Sequence, residues 1–426
     1  MTGDHRDPDE EHRRPDPTTE PRHPLADAGQ PVSDEEARKN RALDPPAWLG
    51  HGSGRTDDAH PPVRTRHHGA RRHVGASMPG ADGPSVVTVG RLPDPDPAAP
   101  AVRGGVAGSS LVGRFLEVVP TFDRLPLPGH GATWERFETL ASLAEDDLAL
   151  ARLAEGHADA LAILDESGRE LHHPRASYGV WAARGASGGV TAEPAGGGWE
   201  LAGCKPFCSG SGLVERALIT AEAPDGYRLF DVPTADIVVG RSPDSWPAVG
   251  MAGTLSETLV FEGRVSDDDA VGPPGFYTRR PGFWFGACGV AACWYGGARG
   301  LMAGTLQSLG AEPAETTLME LGRMAALLQA MTDTLTSAAT AIDLDPEDRR
   351  GRARGRALAV RQVVHSSCES VLGLTAAAGG ARPLCHDADQ ARRAADLYVY
   401  LAQHHGGPDA VELGRLAVLG EGGTGL

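Results

Sequence analysis

The chain is short of lysine, of paired cysteine motifs and of long apolar runs, and each shortage removes a class of function. Only Lys39 and Lys205 are lysines, and acids outnumber bases to a formal net charge of −17 with a pI near 5.4. Nucleic acids and anionic membranes both demand a concentrated positive surface, so neither is expected as a partner. The basic stretch "RTRHHGARRHVG" has no interleaved aromatic and lies among acids, which is the pattern of a solvated tail. The six cysteines, Cys204, Cys208, Cys288, Cys293, Cys368 and Cys385, form no C-x-x-C pair, so no metal site is expected. Their apolar or small-residue surroundings suit buried thiols in a reducing cytoplasm. The uncharged run from Phe283 to Ala298 ends at Arg299, short of the roughly 20 residues of a membrane span. The opening "MTGDHRDPDEEHRRPDPTTEPRHP" has no apolar centre and does not read as a secretory signal, which again points to the cytoplasm.

What is present falls into four parts. Residues 1–105 are rich in Pro, Gly, Asp, Arg and His without a sustained apolar period, and a disordered tail is expected. Met78 lies inside that tail and is an alternative translation start. Residues 106–177 read as a small helical domain, with Thr133 capping "WERFETLASLA" and a second helix through "EDDLALARLAEGHADALAIL". In that helix Leu150, Leu153, His157, Leu161 and Leu164 recur at three and four residues, so His157 points inward as a hydrogen-bonded core residue. Residues 178–277 switch to short β-prone runs, "VTAE", "WELAG", "RALITA", "YRLFDV", "DIVVG" and "ETLVFEG", separated by turns, the pattern of an antiparallel domain. Residues 278–426 read as a four-helix bundle. "FWFGACGVAACWYGGARGLMAG" is its buried helix, and Leu318, Leu321, Met324, Ala325, Leu328, Met331 and Leu335 are a packing seam. The class is α+β.

Within this frame, "GCKPFCSG" (Gly203 to Gly210), "WPAVGMAGTLSETLVFEGRV" (Trp246 to Val265) and, more weakly, "GGARPLCHDAD" (Gly379 to Asp389) resemble motifs of the acyl-CoA dehydrogenase family. The resemblance spans roughly residues 110 to 420. It implies that family's fold, with a shortened N-terminal helical domain, a central antiparallel β domain and a C-terminal four-helix bundle. It also implies bound FAD, an acyl-CoA or other small-molecule substrate, and a homodimer or homotetramer. By resemblance Phe207, Ser209, Gly210 and Trp181 contact the flavin, Ser209 through its hydroxyl and Phe207 as a flat apolar wall. Lys205 holds the turn, and Asp387 caps the last helix.

The implied reaction is α,β-dehydrogenation of an acyl thioester, in which flavin takes hydride and a base removes the α-proton. Here the sequence departs from the family. "RRPGFWFGACG" and "LAQHHGGPDAVELG" stand where the catalytic glutamate is placed, and neither keeps it. His404 or His405 is the substitute base, although "HH" before "GG" also reads as a helix C-terminus with a glycine cap. Ala252 replaces the usual arginine of the second motif, the Arg-x-x-Phe-Gly motif is missing, and "YGVWAARGAS" replaces a hydroxyl-bearing stretch. Two alternatives therefore stand beside dehydrogenation: a flavin-dependent monooxygenase of the same fold, which needs no carboxylate, and a non-catalytic scaffold. Phe283, Trp284, Trp294 and Tyr295 are either pocket lining or plain core.

Overall fold

The computed structural model describes residues 110–169, 173, 175–184 and 189–419. The expected tail over residues 1–105, with Met78, lies outside the described residues. Three helices lead: α1 (Leu111–Phe122), α2 (Thr133–Asp146) and α3 (Leu148–Glu166). Asp147 caps α3 by accepting the Ala149 and Leu150 N–H groups, each at 3.1 Å. Thr133 does open α2, but its hydroxyl is not the cap. It donates to Asp343 Oδ1 at 2.5 Å and accepts from the Gly129 N–H at 2.8 Å. The Asp343 carboxylate also takes the Thr133 N–H at 3.1 Å, so an acid from a distant helix satisfies the donors a local cap would serve.

His157 is fully buried on α3. Its Nε2 meets Asp123 Oδ1 at 3.0 Å and its Nδ1 accepts the Tyr178 N–H at 3.2 Å, so Nε2 is the protonated nitrogen. Burial holds its pKa below the usual value. It is the hydrogen-bonded core residue that its spacing predicts.

The sheet contains β1 (Tyr178–Trp181), β2 (Val190–Pro194), β3 (Gly198–Cys208), β4 (Arg216–Ala223), β5 (Gly226–Pro233), β6 (Val238–Ser242), β7 (Glu257–Ser266) and β8 (Ala270–Val271). Its order is β6-β7-β3-β2-β4-β5-β8, with β1 paired to β4. Each run read as a strand lies in one of these except "DIVVG", whose Asp236 and Ile237 end a short helix, Thr234–Ile237, ahead of β6. The sheet is mixed rather than antiparallel, which corrects the expectation. β1 runs parallel to β4, Tyr178 opposite Arg216 and Trp181 opposite Ile219, and β2 meets β4 in parallel at Thr191 and Glu222. A parallel pair needs a long crossover, and here the β2–β3 hairpin supplies it, so turn signals between consecutive runs conceal the pairing.

The remaining long helices are α4 (Gly282–Gln307), α5 (Glu315–Asp343), α6 (Ala353–Gly379), α7 (Ala388–Leu401) and α8 (Gly406–Val418), with short helices at Thr234–Ile237, Phe276–Arg279 and Arg382–His386. The last long helix, α8, exceeds the four expected. Gly406 and Gly407 open it instead of closing α7, and neither has positive φ. Pro408 fits there because a first-turn N–H has no intrahelical partner to lose. Asp387 caps α7, accepting the Asp389 and Gln390 N–H groups at 3.0 Å. On α5, Leu321, Met324, Met331 and Leu335 are buried, whereas Leu318 is 52 % exposed and Ala325 is exposed. Leu318 and Ala325 lie one heptad apart at the rim of a two-position stripe, outside its centre.

The leading helices have no core of their own. Phe137, Leu140 and Ala141 of α2 share a cluster with Trp294, Met331, Val364 and Cys368 of α4 to α6. Phe115 of α1 and Leu150 and Leu153 of α3 share another with the sheet. Where α2 crosses α4 the backbones nearly touch: a Cβ on Gly296 would lie 2.1 Å from the Ala141 carbonyl oxygen. Trp294 is core, 0 % exposed. Cys208, Cys288, Cys293 and Cys368 are buried, but Cys204 is half-buried and Cys385 exposed. Among the described residues no helix is long and apolar enough to cross a membrane, and no group of acids, His or Cys could hold a metal ion.

Candidate functional site

Strain is concentrated at the end of β3. Among the described residues the non-glycine positions with positive φ are Phe207, Met251, Leu255 and Asp348, and the first three lie on two adjoining segments. Left-handed backbone costs on the order of 1–3 kcal/mol per residue and persists only where its surroundings enforce it. The two segments are stitched together by the Gly210 N–H to the Thr254 carbonyl at 2.7 Å and the Ser211 N–H to the Leu255 carbonyl at 3.3 Å. A break in the β3–β7 register between Lys205 and Cys208 swings Phe207 outward. Its ring is 58 % exposed and meets Trp246 edge-on at 6.4 Å.

Behind that ring runs a chain of hydroxyls. Ser209 Oγ lies 2.7 Å from Ser256 Oγ, which lies 2.8 Å from Thr254 Oγ1. The far end donates to the Met251 carbonyl, Thr254 Oγ1 lying 2.8 Å from that oxygen, which also accepts from the Thr254 N–H at 3.0 Å and the Trp246 Nε1–H at 3.1 Å. With its proton committed there, Thr254 accepts from Ser256, and Ser256 accepts from Ser209. The Ser209 oxygen then turns a lone pair to a ligand.

Trp181 is 2 % exposed and acts from beneath: its indole N–H donates to the Ser209 carbonyl at 2.9 Å while its ring packs on Phe261. Lys205 is 1 % exposed and donates to the Ala183 carbonyl at 3.2 Å and Thr220 Oγ1 at 3.0 Å. It ties the turn to β4 and to the segment leaving β1, and burial pulls its pKa down to about 8. That bond pair accounts for a lysine in so lysine-poor a chain.

Ser209 opens into a shallow depression lined by Arg152, Leu153, Gly156, Tyr178, Gly179, Val180 and Val214, with a volume of about 10 Å³, room for a single water. Arg152 and its neighbour Glu155 went unnoticed in the sequence. The available signal was a pair of opposite charges three residues apart on a helix rich in Leu and Ala. Arg152 Nη1 lies 2.7 Å from Glu155 Oε2. Burial raises the Glu155 pKa, against the pull of Arg152 and with a further push from Asp159.

The proposed histidine bases stand elsewhere. His404 is 9 % exposed among bundle residues, its ring 4.5 Å from that of His365 and 6.0 Å from that of Trp294. Its Nε2 meets Gln362 Oε1 at 3.2 Å, and Nδ1 stands 3.5 Å from Asp409 Oδ2, an ion-pair distance without hydrogen-bond geometry. Burial, reinforced by Arg361, lowers its pKa to about 4. His405 is half-buried at the N-terminus of α8, where its carbonyl accepts the Asp409 N–H at 3.2 Å. Neither lines the pocket beside Ser209.

No protein-family model matches the chain, and no curated protein does. Solved structures do. Dibenzothiophene monooxygenase TdsC from Paenibacillus sp. A11-2 aligns with a TM-score of 0.59 at 20% identity, over 73% of this chain and 95% of its own. KijD3, solved with FMN and a dTDP-linked amino-keto sugar, gives 0.60 at 17% identity, over 73% and 91%. The 3-HSA hydroxylase of Rhodococcus sp. RHA1 gives 0.59 at 16% identity, over 73% and 95%. The chain has the fold of these structures, the acyl-CoA dehydrogenase fold.

Proposed function

We propose that this chain is a flavin-dependent oxidoreductase and, within that class, a monooxygenase acting on a small organic molecule. One observation carries the reading: an exposed aromatic ring, Phe207, and a hydroxyl, Ser209, share one strained turn beside a shallow depression whose lining contains no carboxylate. The residues fit a flavin, which needs a flat apolar wall and a hydrogen-bonding group at its reactive edge. When bound, reduced flavin supplies the activation of oxygen. The chain's own part is to hold the ring against Phe207, to present the Ser209 hydroxyl oxygen, and to keep the turn rigid through Trp181 and Lys205.

Acyl-thioester dehydrogenation requires a base facing the substrate. Neither the pocket lining nor the first expected position contains a carboxylate, and the acids of the second, Asp409 and Glu412, pair within the bundle with His404 and with Arg354. It is the second reading, favoured by Glu155 standing behind Arg152 with a raised pKa. FMN and FAD are both proposed as the flavin: FAD follows from the resemblance, and FMN is bound by KijD3. A homodimer or homotetramer in a reducing cytoplasm completes the proposal.

The test is titration of the purified chain with FMN and with FAD, reduction without air, and then mixing with aerated buffer. Fast reoxidation without acyl-CoA supports a monooxygenase. Slow reoxidation, with bleaching of the flavin by an acyl-CoA, replaces it with a dehydrogenase. A colourless protein that takes up neither flavin removes both readings and leaves a scaffold.

A further inference from the structure

We infer that α8 is an acid-released latch, a helix that a cluster of imidazole and ionic groups holds against α6 at neutral pH and lets go in mild acid while the rest of the bundle stays folded. The latch needs no flavin, and its residues lie outside the depression beside Ser209.

Apolar contact gives α8 little hold. Of its thirteen residues Asp409 alone is buried. Val411 is 54 % exposed and Val418 88 %, while Leu413 and Leu416 are half-buried. Polar contacts supply the rest of the grip. Arg354 of α6 pairs with Glu412 at 3.0 Å, and at the turn entering α8 His404 Nε2 meets Gln362 Oε1 of α6 at 3.2 Å. A segment that buries so little apolar surface opens on its own, at less cost than the whole molecule.

The turn that carries α8 is packed into a cluster that acid makes positive. Helix α6 contributes Arg361 and His365, and the turn contributes His404 and His405. The His404 and His365 rings lie 4.5 Å apart, and the Arg361 guanidinium stands 4.5 Å from the Trp294 ring, on which His404 also packs. Asp409 faces His404 from α8 at 3.5 Å, and Glu369 meets His365 at 3.3 Å from its exposed side. Arg354, a further cation near Asp409, is held by Glu412. Trp294 of α4 carries no charge, and burial keeps the Tyr400 phenol of α7 neutral. Protonating both imidazoles thus sets two new charges beside the permanent one on Arg361.

Burial, reinforced by Arg361, lowers the His404 pKa to about 4 from the usual 6.5, and burial lowers that of His365 as well. Undocking returns the imidazoles toward water, where they take up protons more readily. Docking is therefore fully favoured above pH 6.5 and loses ground as pH falls toward 4. For His404 alone, opening gains about thirtyfold between pH 7.5 and pH 5. Asp409 works the other way, because burial raises its pKa and acid removes its buried charge, but two imidazoles outnumber one carboxylate.

The experiment follows amide hydrogen exchange of the full chain, peptide by peptide, at pH 5 and pH 7.5 with the intrinsic rates divided out. Peptides of α8 are expected to lose protection by about tenfold or more at pH 5, the effect of His404 less what Asp409 gives back, while those of α4 and α6 keep theirs. His404→Gln should remove most of that pH dependence, whereas Arg354→Gln should loosen α8 at both pH values alike. Equal protection of α8 at the two values, a loss at pH 5 shared with α4 and α6, or an unchanged pH dependence in His404→Gln overturns the inference. Should His404→Gln fail to fold, the contrast between α8 and α6 in the parent chain decides.

Discussion

Replacing Lys205 with methionine keeps the length of the side chain and removes its charge, and its effect should change sign with pH. Lys205 is 1 % exposed, and burial brings its pKa down to about 8 from the usual 10.5. Between those values the unfolded chain binds the proton more fully than the native one, so the contribution of Lys205 to stability rises as pH climbs through the window. Below pH 8 the full penalty is present. A gap of about 2.5 units corresponds to about 3 kcal/mol. Against it stand two hydrogen bonds, to Ala183 and Thr220, at about 1 kcal/mol each. Near pH 7 the methionine variant should therefore be as stable as the parent or about 1 kcal/mol more so. Near pH 10.5, where the amine keeps its bonds without the penalty, the variant should be about 2 kcal/mol less stable. Urea unfolding of both proteins across this range reads the difference and cancels the ionisation of other groups. A difference that does not move with pH refutes the buried-amine account, and with it the claim that Lys205 clamps the turn carrying Ser209.

Four shorter predictions accompany it. A thiol reagent should modify exposed Cys385 in the native protein, whereas Cys288, with a pKa raised to about 12, and the deeply buried Cys293 should react only on unfolding; mass mapping of labelled peptides checks this. Asp387→Ala removes the acceptor for two N–H groups at the start of α7 and should lower stability by about 1 kcal/mol in denaturant titration. Ser256→Ala removes the partner that orients the Ser209 hydroxyl and should weaken flavin binding about fivefold, the equivalent of ~1 kcal/mol, in a fluorescence titration. His404→Gln should leave flavin affinity unchanged, because the imidazole lies within the bundle and outside the pocket beside Ser209.

The parts of the fold that depend on local pattern were legible in the sequence. Alternation and turns located the strands, the spacing of Met324 and Met331 located the α5 seam, and the inward turn of His157 followed from its place among leucines. Pairing between distant segments was not legible. The parallel junction of β1 with β4 leaves no local signature, because a crossover spanning a whole hairpin reads as two ordinary turns. The glycines after His405 misled for a related reason: Gly-Gly-Pro suits the first turn of a helix as well as the turn after one. At the site, Phe207, Ser209 and Gly210 were visible as a motif, but the link from Ser209 to Ser256 spans 47 residues and exists only once β3 lies beside the 251–256 segment. Arg152 and Glu155 were passed over because a helix with one apolar face is ordinarily wet on the other. Helix α3 is packed between sheet and bundle, and Glu155 is 4 % exposed.

The central claim is that a flavin ring rests on Phe207 within reach of the Ser209 hydroxyl, and a flavin-binding titration of three proteins tests it most directly. The parent chain should bind FMN or FAD in one-to-one ratio with a perturbed visible spectrum. Phe207→Ala and Ser209→Ala, folded as judged by their melting curves, should each bind about tenfold more weakly, as loss of a stacking wall or of one hydrogen bond implies. Uptake of flavin by both variants with the parent's affinity and spectrum would contradict the account.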